Sequence, residues 1–283
     1  MSDVATQIAR LFVYPIKSCA GVELQEAMLT ETGLDLDRAW MVVDSGGEFV
    51  SQRELPRMAL VKVQLKFSEV VLRAPGMLAL HLQIDTVEAP ARARVWNDEV
   101  SAFDMGDTAA QWFTDFLGRK LRLVRFDPDE QRLSSRKWTG GVEALNQFSD
   151  GFPLLVTSEG SLAELNRRLL AAGHEAVGME RFRPNIVLAG LEAHDEDRLG
   201  DMRIAADAEV VLRPVKPCGR CPIPNIDPAT AVSTPFVNDA LQAYRSNPVL
   251  DGAVTFGMNL IVLEGFDQVL RVGQRVSAGW KFD

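Results

Sequence analysis

The chemistry in this chain is concentrated between Arg213 and Thr230, in the run RPVKPCGRCPIPNIDPAT. Five prolines, two cysteines and three basic residues make it too irregular for a helix or a central strand, so it is expected to be a loop. Cys218 and Cys221 are separated by Gly219 and Arg220, which places a fixed positive charge between two thiols. A neighbouring cation favours thiolate over thiol and suits such a sulfur to metal ligation or nucleophilic attack. A structural zinc site would need further ligands, but only Cys19 remains, and His81, His174 and His194 fall at no ligand spacing. A thioredoxin-like dithiol would open a helix, which Pro222 and Pro224 oppose.

Other polar groups sit where elements begin or end. Ile8 to Val13 reads as a strand halted by Pro15, and the turn after it carries Lys17 and Ser18, a cation and a hydroxyl that could converge on an anion or simply be solvated. Phe152 to Thr157 is an apolar strand running into a helix over Leu162 to Ala172, with Ser161 and Glu164 at capping-box spacing. Thr157 and Ser158 therefore stand at a strand-to-helix junction, where helix N–H groups favour a phosphate. Arg183, Pro184 and Asn185 open the strand Ile186 to Leu188, so a guanidinium fork and an amide mark a sheet end.

The elements between these points are strand-rich. Met41 to Val43 and Phe49 to Ser51 flank a Ser45-Gly46-Gly47 turn. Val61, Val63, Leu65 and Phe67, then Leu78, Leu80, Leu82 and Ile84, alternate as a meander with His81 on the outer face. A hairpin turns at Asn97-Asp98, and Asp107 caps a helix whose stripe is Trp112, Phe113, Phe116 and Leu117, ended by Gly118. Asp127 to Gly151 is polar and glycine-rich, a long connection or a loop over a site. The run around His194 reads as a solvated acidic face. After the cysteines, Thr234 and Pro235 start a helix, and strands over Phe256 to Leu263 and Val269 to Val276 close the chain, with a bend at Gly273.

Cys218, Arg220, Cys221, Pro224, Asp227, Pro228 and Thr230 form a pattern that resembles the signature of the MOSC domain, named for the C-terminal domain of molybdenum cofactor sulfurase. Tyr14-Pro15-Ile16-Lys17-Ser18-Cys19, the run from Gly33 through Asp37-Arg38 to Trp40 with Gln52-Arg53-Glu54 after the hairpin, and Phe182-Arg183-Pro184-Asn185 are further matches, so the likeness runs from Tyr14 to Val276, with Gln52 and Arg53 near Arg38 in sequence. The resemblance implies that Cys221 ligates molybdenum, that Lys17 and Ser18 contact the cofactor, and that Arg38 lies in its pocket. With Thr157, Ser158, Arg183, Asn185 and Arg220, these residues suit a molybdenum cofactor: a phosphate tail, a hydrogen-bonding heterocycle and a thiophilic metal. The implied activity is reduction of small N-hydroxylated compounds by an oxidoreductase of the amidoxime-reducing kind. An alternative is sulfur transfer or cofactor carriage through a Cys221 persulfide.

The implied architecture is α+β: a mainly-β, barrel-like domain over residues 131–283 with peripheral helices and a smaller α/β subdomain over 39–130. Residues 1–38 are expected to fold with the barrel, since Lys17 and Arg38 must reach Cys221. No cysteine follows Cys221, so a fused iron–sulfur domain of the kind some bacterial relatives carry is not expected, and electrons should come from a separate ferredoxin- or flavoprotein-type donor. With 47% hydrophobic and 24% charged residues the composition is that of a globular protein, and a net charge of -9 argues against nucleic acid as a partner. No apolar stretch is long enough to span a membrane. Absence of a secretory signal and the presence of only three cysteines point to the cytoplasm.

Overall fold

Side-chain alternation builds a barrel. In the computed structural model, which describes residues 3–281, the first strand (Val4–Val13) buries Val4, Thr6 and Ile8 and then, after a register shift between Ile8 and Arg10, Leu11 and Val13. The shift moves the inward set from even to odd numbers, as a bulge must when side chains alternate with a period of two. The barrel passes from Val4–Val13 to Arg275–Ala278, Met202–Ile204, Val210–Gly219, Ala253–Glu264, Leu154–Ser158 and Ile186–Ala189, and returns to the first strand. All pairings are antiparallel except Leu154–Ser158 with Ile186–Ala189, whose crossover contains the helix Glu159–Ala171. Leu154, Val156, Ile186, Leu188, Leu212, Leu260 and Val262 fill the interior. Outside the barrel, Leu165 and Leu169 of that helix pack with Phe12, Phe182, Val237 and Phe256.

Closure requires one close backbone approach. Gly257 sits at φ +78, and a Cβ there would stand 2.5 Å from the Val156 carbonyl oxygen and 2.7 Å from Thr157 Cγ2. Gly257→Ala is therefore expected to cost about 2–4 kcal/mol, through strain and displacement of the strand pair that seals the barrel, as read by denaturant unfolding.

Residues between the first and later barrel strands form other layers. Trp40–Val43, Arg122–Phe126, Asp98–Asp104 and Ala89–Val95 make a four-stranded antiparallel sheet, and Lys62–Leu65, Glu69–Arg73 and Leu80–Gln83 a three-stranded meander. The helix Asp107–Leu117 buries Trp112, Phe113 and Phe116 between them and ends at Gly118 in the left-handed region. The chain is mostly β with few helices.

Several expectations are corrected. The cysteine run is only partly a loop, because Val210–Gly219 is strand. Beyond Leu212 its only ladder neighbour among the described residues is Ala253–Glu264, with register shifts at Pro214/Lys216 and Pro217/Gly219, so the prolines occupy an edge. The meander has a middle strand that the alternation did not reveal, and Phe67 and Leu78 lie outside the strands, exposed. The helix expected at Leu162 begins at Glu159, capped by Ser158, while Glu164 pairs with Arg167 and Arg168. Gly106, not Asp107, is the N-cap of the earlier helix, and Phe236–Gln242 starts one residue after Pro235.

The acidic run near His194 is not a solvated face: Asp195 and Glu196 are buried. Both His194 ring nitrogens are enclosed without partners beside Tyr244 and Phe256. Burial, then the Arg245 charge, lower its pKa from 6.5 to about 4. Between these values the unfolded chain binds the proton and the folded one does not, so stability is full above about pH 6.5 and declines as pH falls toward 4. His194→Phe should flatten that decline by about 1 kcal/mol, allowing for the ring's partial contact with solvent, as measured by unfolding at pH 7 and pH 5.

Candidate functional site

Four chain segments meet at one rim of the barrel. The turn after Val4–Val13 carries Lys17 and Ser18, the approach to Trp40–Val43 carries Arg38, the approach to Ile186–Ala189 carries Arg183 and Asn185, and the end of Val210–Gly219 carries Cys218, Arg220 and Cys221. They line one cleft of about 820 Å³, open to solvent. Seven of the nine residues expected at the site are thus brought together: Lys17, Ser18, Arg38, Arg183, Asn185, Arg220 and Cys221.

Thr157 and Ser158 are not. Both are fully buried, the Thr157 hydroxyl faces Met179 Sδ at 3.2 Å, and Ser158 Oγ accepts the Ser161 N–H at 3.1 Å. The helix N-terminus does attract an anion, but that anion is the chain's own Glu196 carboxylate, which accepts from the hydroxyls of Ser158 (2.8 Å) and Ser161 (2.6 Å).

The cleft floor is a pair of guanidinium groups on one ring. Arg38 lies 4.4 Å and Arg183 4.2 Å from the Tyr14 ring centroid. Arg38 pairs with Asp37 and donates to the Arg183 carbonyl at 3.0 Å and to Asn185 Oδ1 at 3.2 Å. Asn185 in turn accepts from the Leu155 N–H at 3.1 Å and donates to the Phe12 carbonyl at 3.2 Å, so its amide orients Arg38. Arg183 has no carboxylate partner among the described residues and donates to the Cys19 carbonyl at 2.6 Å. Burial, then Arg38, lower its pKa from the ordinary guanidinium value to about 10.

Three cleft residues, Ser18, Arg38 and Arg183, take φ between +52 and +67, unfavourable for residues with a Cβ. Such strain persists where surrounding contacts over-determine it, and here it aims polar side chains into a common space. Lys17 is buried, 2.6 Å from Asp150 Oδ1 and 2.7 Å from the Phe148 carbonyl. Burial lowers its pKa, opposed by Asp150.

The thiols differ from expectation in one respect. Arg220 donates to Cys218 Sγ at 3.0 Å and to the Phe182 carbonyl at 2.9 Å, so the cation serves Cys218 directly. Cys221 Sγ has no hydrogen-bond partner among the described residues, and the residue is partly exposed in the cleft; Asn238 Nδ2 steadies its carbonyl at 3.3 Å. Arg220 Nε is buried without a partner.

Arg53, which follows Arg38 closely in sequence, lines the cleft too, and so do Asp150 and the aromatic residues Phe49, Phe152 and Phe182, which were not assigned from sequence. Asp150 belongs to the polar connection read as a loop over a site, which was the one available signal. Five cationic side chains, Lys17, Arg38, Arg53, Arg183 and Arg220, face the cleft against one lining carboxylate, Asp150, in a chain of net charge -9. That local excess makes the cleft an anion receptor with one unengaged thiol at its wall.

A closed seven-strand barrel with a cationic, cysteine-bearing rim defines a MOSC-type protein. The family described as the MOSC N-terminal beta barrel domain matches residues 5–120, and the MOSC domain matches residues 144–277. The human mitochondrial amidoxime reducing component 2 is 34% identical over 250 residues, covering 84% of this chain and 72% of that protein. Human mitochondrial amidoxime-reducing component 1 is 34% identical over 248 residues, with the same two coverages. The Xenopus laevis component 1 is 30% identical over 290 residues, 95% of this chain and 81% of that protein. The chain belongs to the MOSC-domain family that includes the amidoxime reducing components. No helix among the described residues is long and apolar enough to cross a membrane.

Proposed function

We propose that this protein is a molybdenum-cofactor-dependent reductase of N-hydroxylated compounds, with Cys221 as the protein's thiolate to the metal. The observation that carries the reading is the meeting of one unengaged cysteine sulfur with five cations in a single cleft. Among the described residues no cluster of three or more His, Cys, Asp or Glu side chains could hold a metal, so a metal at Cys221 would take its other donors from a bound organic group. The donor set fits such a group: Arg38 and Arg183 for an anionic tail, the free Ser18 hydroxyl and the unpartnered Arg220 Nε for polar edges, and Cys221 for a soft metal.

When bound, the cofactor would supply two-electron redox chemistry for cleaving an N–O bond. The overall reaction breaks the N–O bond of the substrate, consumes two electrons and two protons, and yields the amine-type product and one water. A separate ferredoxin- or flavoprotein-type donor supplies the electrons. The chain's own part is to hold the anchor, to keep Asn185 and Asp37 behind Arg38, and to present Lys17–Asp150 as the ionisable pair beside the cleft. Asp150 opens to the cleft; its enclosure would raise its pKa, but Lys17 and the Trp96 N–H outweigh this and hold it below the ordinary carboxylate range.

In the same reading, residues 39–130 form an accessory unit, while 131–283 and the first 38 residues supply the barrel and cleft. Three free thiols suit a reducing compartment such as the cytoplasm. Protein produced in a host competent for pterin synthesis should contain molybdenum and pterin near one per chain and should reduce benzamidoxime with a chemical reductant. Absence of both metal and pterin, with sulfane sulfur on Cys221 instead, would favour the sulfur-transfer alternative.

A further inference from the structure

Two cations beside the cleft are held by aromatic rings and not by carboxylates. The Arg53 guanidinium carbon lies 4.6 Å from the Trp96 ring centroid and 5.9 Å from that of Phe49. Its Nε donates to Ser51 Oγ at 3.2 Å, and its terminal nitrogens have no acceptor among the described residues. Lys216 Nζ stands 5.3 Å from the Trp138 centroid and 5.9 Å from that of Phe152, again without an ion-pair partner among the described residues. Phe49, Arg53 and Phe152 all line the cleft.

Trp96 is fixed before any ligand arrives. It occupies the tip between Ala89–Val95 and Asp98–Asp104 with φ +58, an outlier for a bulky residue, and its indole N–H donates to Asp150 Oδ1 at 3.0 Å. A guanidinium stacked on an indole keeps its N–H edge free in the ring-parallel plane, where it can meet a carboxylate in bidentate fashion. Arg38 and Arg183 are spent on the cleft floor at Tyr14, whereas Arg53 is partly exposed at the mouth.

Resting on the reductase reading, we propose that Arg53 and Trp96 form a substrate subsite. It selects planar, aromatic N-hydroxylated compounds that carry a carboxylate or another anionic group. Arg53 takes the anion, and Trp96 with Phe49 and Phe152 supplies the aromatic walls. The competing role for Arg53, a grip on the cofactor's own anionic tail, is separated by the same experiment.

The cofactor-loaded full chain is assayed with benzamidoxime and with its para-carboxylated derivative. The carboxylated compound should show a kcat/KM roughly tenfold higher, expressed in KM, and Arg53→Gln should reduce that ratio about tenfold. Raised salt should narrow the preference in the wild type and leave the variant unaffected. A ratio near one in the wild type, an equal loss on both compounds in the variant, or loss of pterin from the variant would each overturn the subsite. If neither compound is reduced, the reductase reading fails. The subsite is then judged by tryptophan-fluorescence titration of the full chain with the same two compounds. A preference for the carboxylate that Arg53→Gln abolishes upholds it, and equal binding sinks it.

Discussion

Cys221→Ala is expected to lower reduction of benzamidoxime by roughly a thousandfold or more, about 4 kcal/mol of activation free energy, while the protein remains folded. The fold should survive because Cys221 Sγ is partly exposed and makes no hydrogen bond, and because the contact that places this turn, Asn238 Nδ2 to the Cys221 carbonyl, involves backbone that alanine retains. Activity should fall because no other thiol has the same freedom. Cys19 is buried, and burial raises its pKa to about 12, opposed only by Arg183. Cys218 is engaged by Arg220 at 3.0 Å. Pterin should remain with the variant, since the cations that hold an anionic tail are untouched. The check is steady-state kinetics beside metal and pterin content. If Cys218→Ala abolishes turnover and Cys221→Ala does not, the ligand is the wrong cysteine.

The difference between the two thiols shows what could be read from the chain and what could not. Cys218, Arg220 and Cys221 are neighbours in sequence, so their residence in one cleft was legible. Which sulfur the cation serves was not, because it depends on backbone form. In extended chain, side chains two apart share a side, so Arg220 reaches back to Cys218 at the end of its strand and turns from the adjacent Cys221.

The rim itself was legible because Lys17 follows a strand, Arg183 precedes one and Cys218 stands at the end of one, and strand ends of a barrel collect at its mouths. The barrel's closure was not, since it rests on Gly257 passing over Val156, about a hundred residues away in the chain. Thr157 and Ser158 show the limit most directly. Their local setting predicted an anion at a helix N-terminus, and an anion is there, but it is Glu196, delivered by a run whose acidity pointed to solvent. Its arrival across 38 residues is a tertiary event with no local mark. Trp96 escaped for a similar reason: it is ordinary at its own hairpin tip, and only the stacking of Arg53 on it gives the two a shared role.

Arg183→Gln should produce two opposite effects that a purely structural arginine would not. Purified from a pterin-competent host, the variant is expected to carry less than about a tenth of the wild type's pterin, because a charge-assisted contact to a buried anion contributes about 2–5 kcal/mol. Cofactor-free, it should be more stable than cofactor-free wild type, by about 1 kcal/mol or a few degrees in Tm. The gain follows from the floor's geometry. Arg183 and Arg38 share the Tyr14 ring, and only Arg38 has a carboxylate, Asp37. The lowered Arg183 pKa states the same cost: above about pH 10 the folded chain releases a proton that the unfolded chain still holds, so the penalty is fully present at neutral pH and lifts only as pH rises past that value. Glutamine removes the penalty and forfeits the ring contact and the bond to the Cys19 carbonyl, which is why the net gain is small. Inorganic pyrophosphate should raise the Tm of cofactor-free wild type and leave the variant nearly unmoved, since an anion binding only the folded form stabilises it by mass action. Calorimetry with and without pyrophosphate, beside pterin fluorescence after oxidation, measures all three quantities. Full pterin retention in the variant would remove Arg183 from the anchor and leave Arg38 as its sole floor cation.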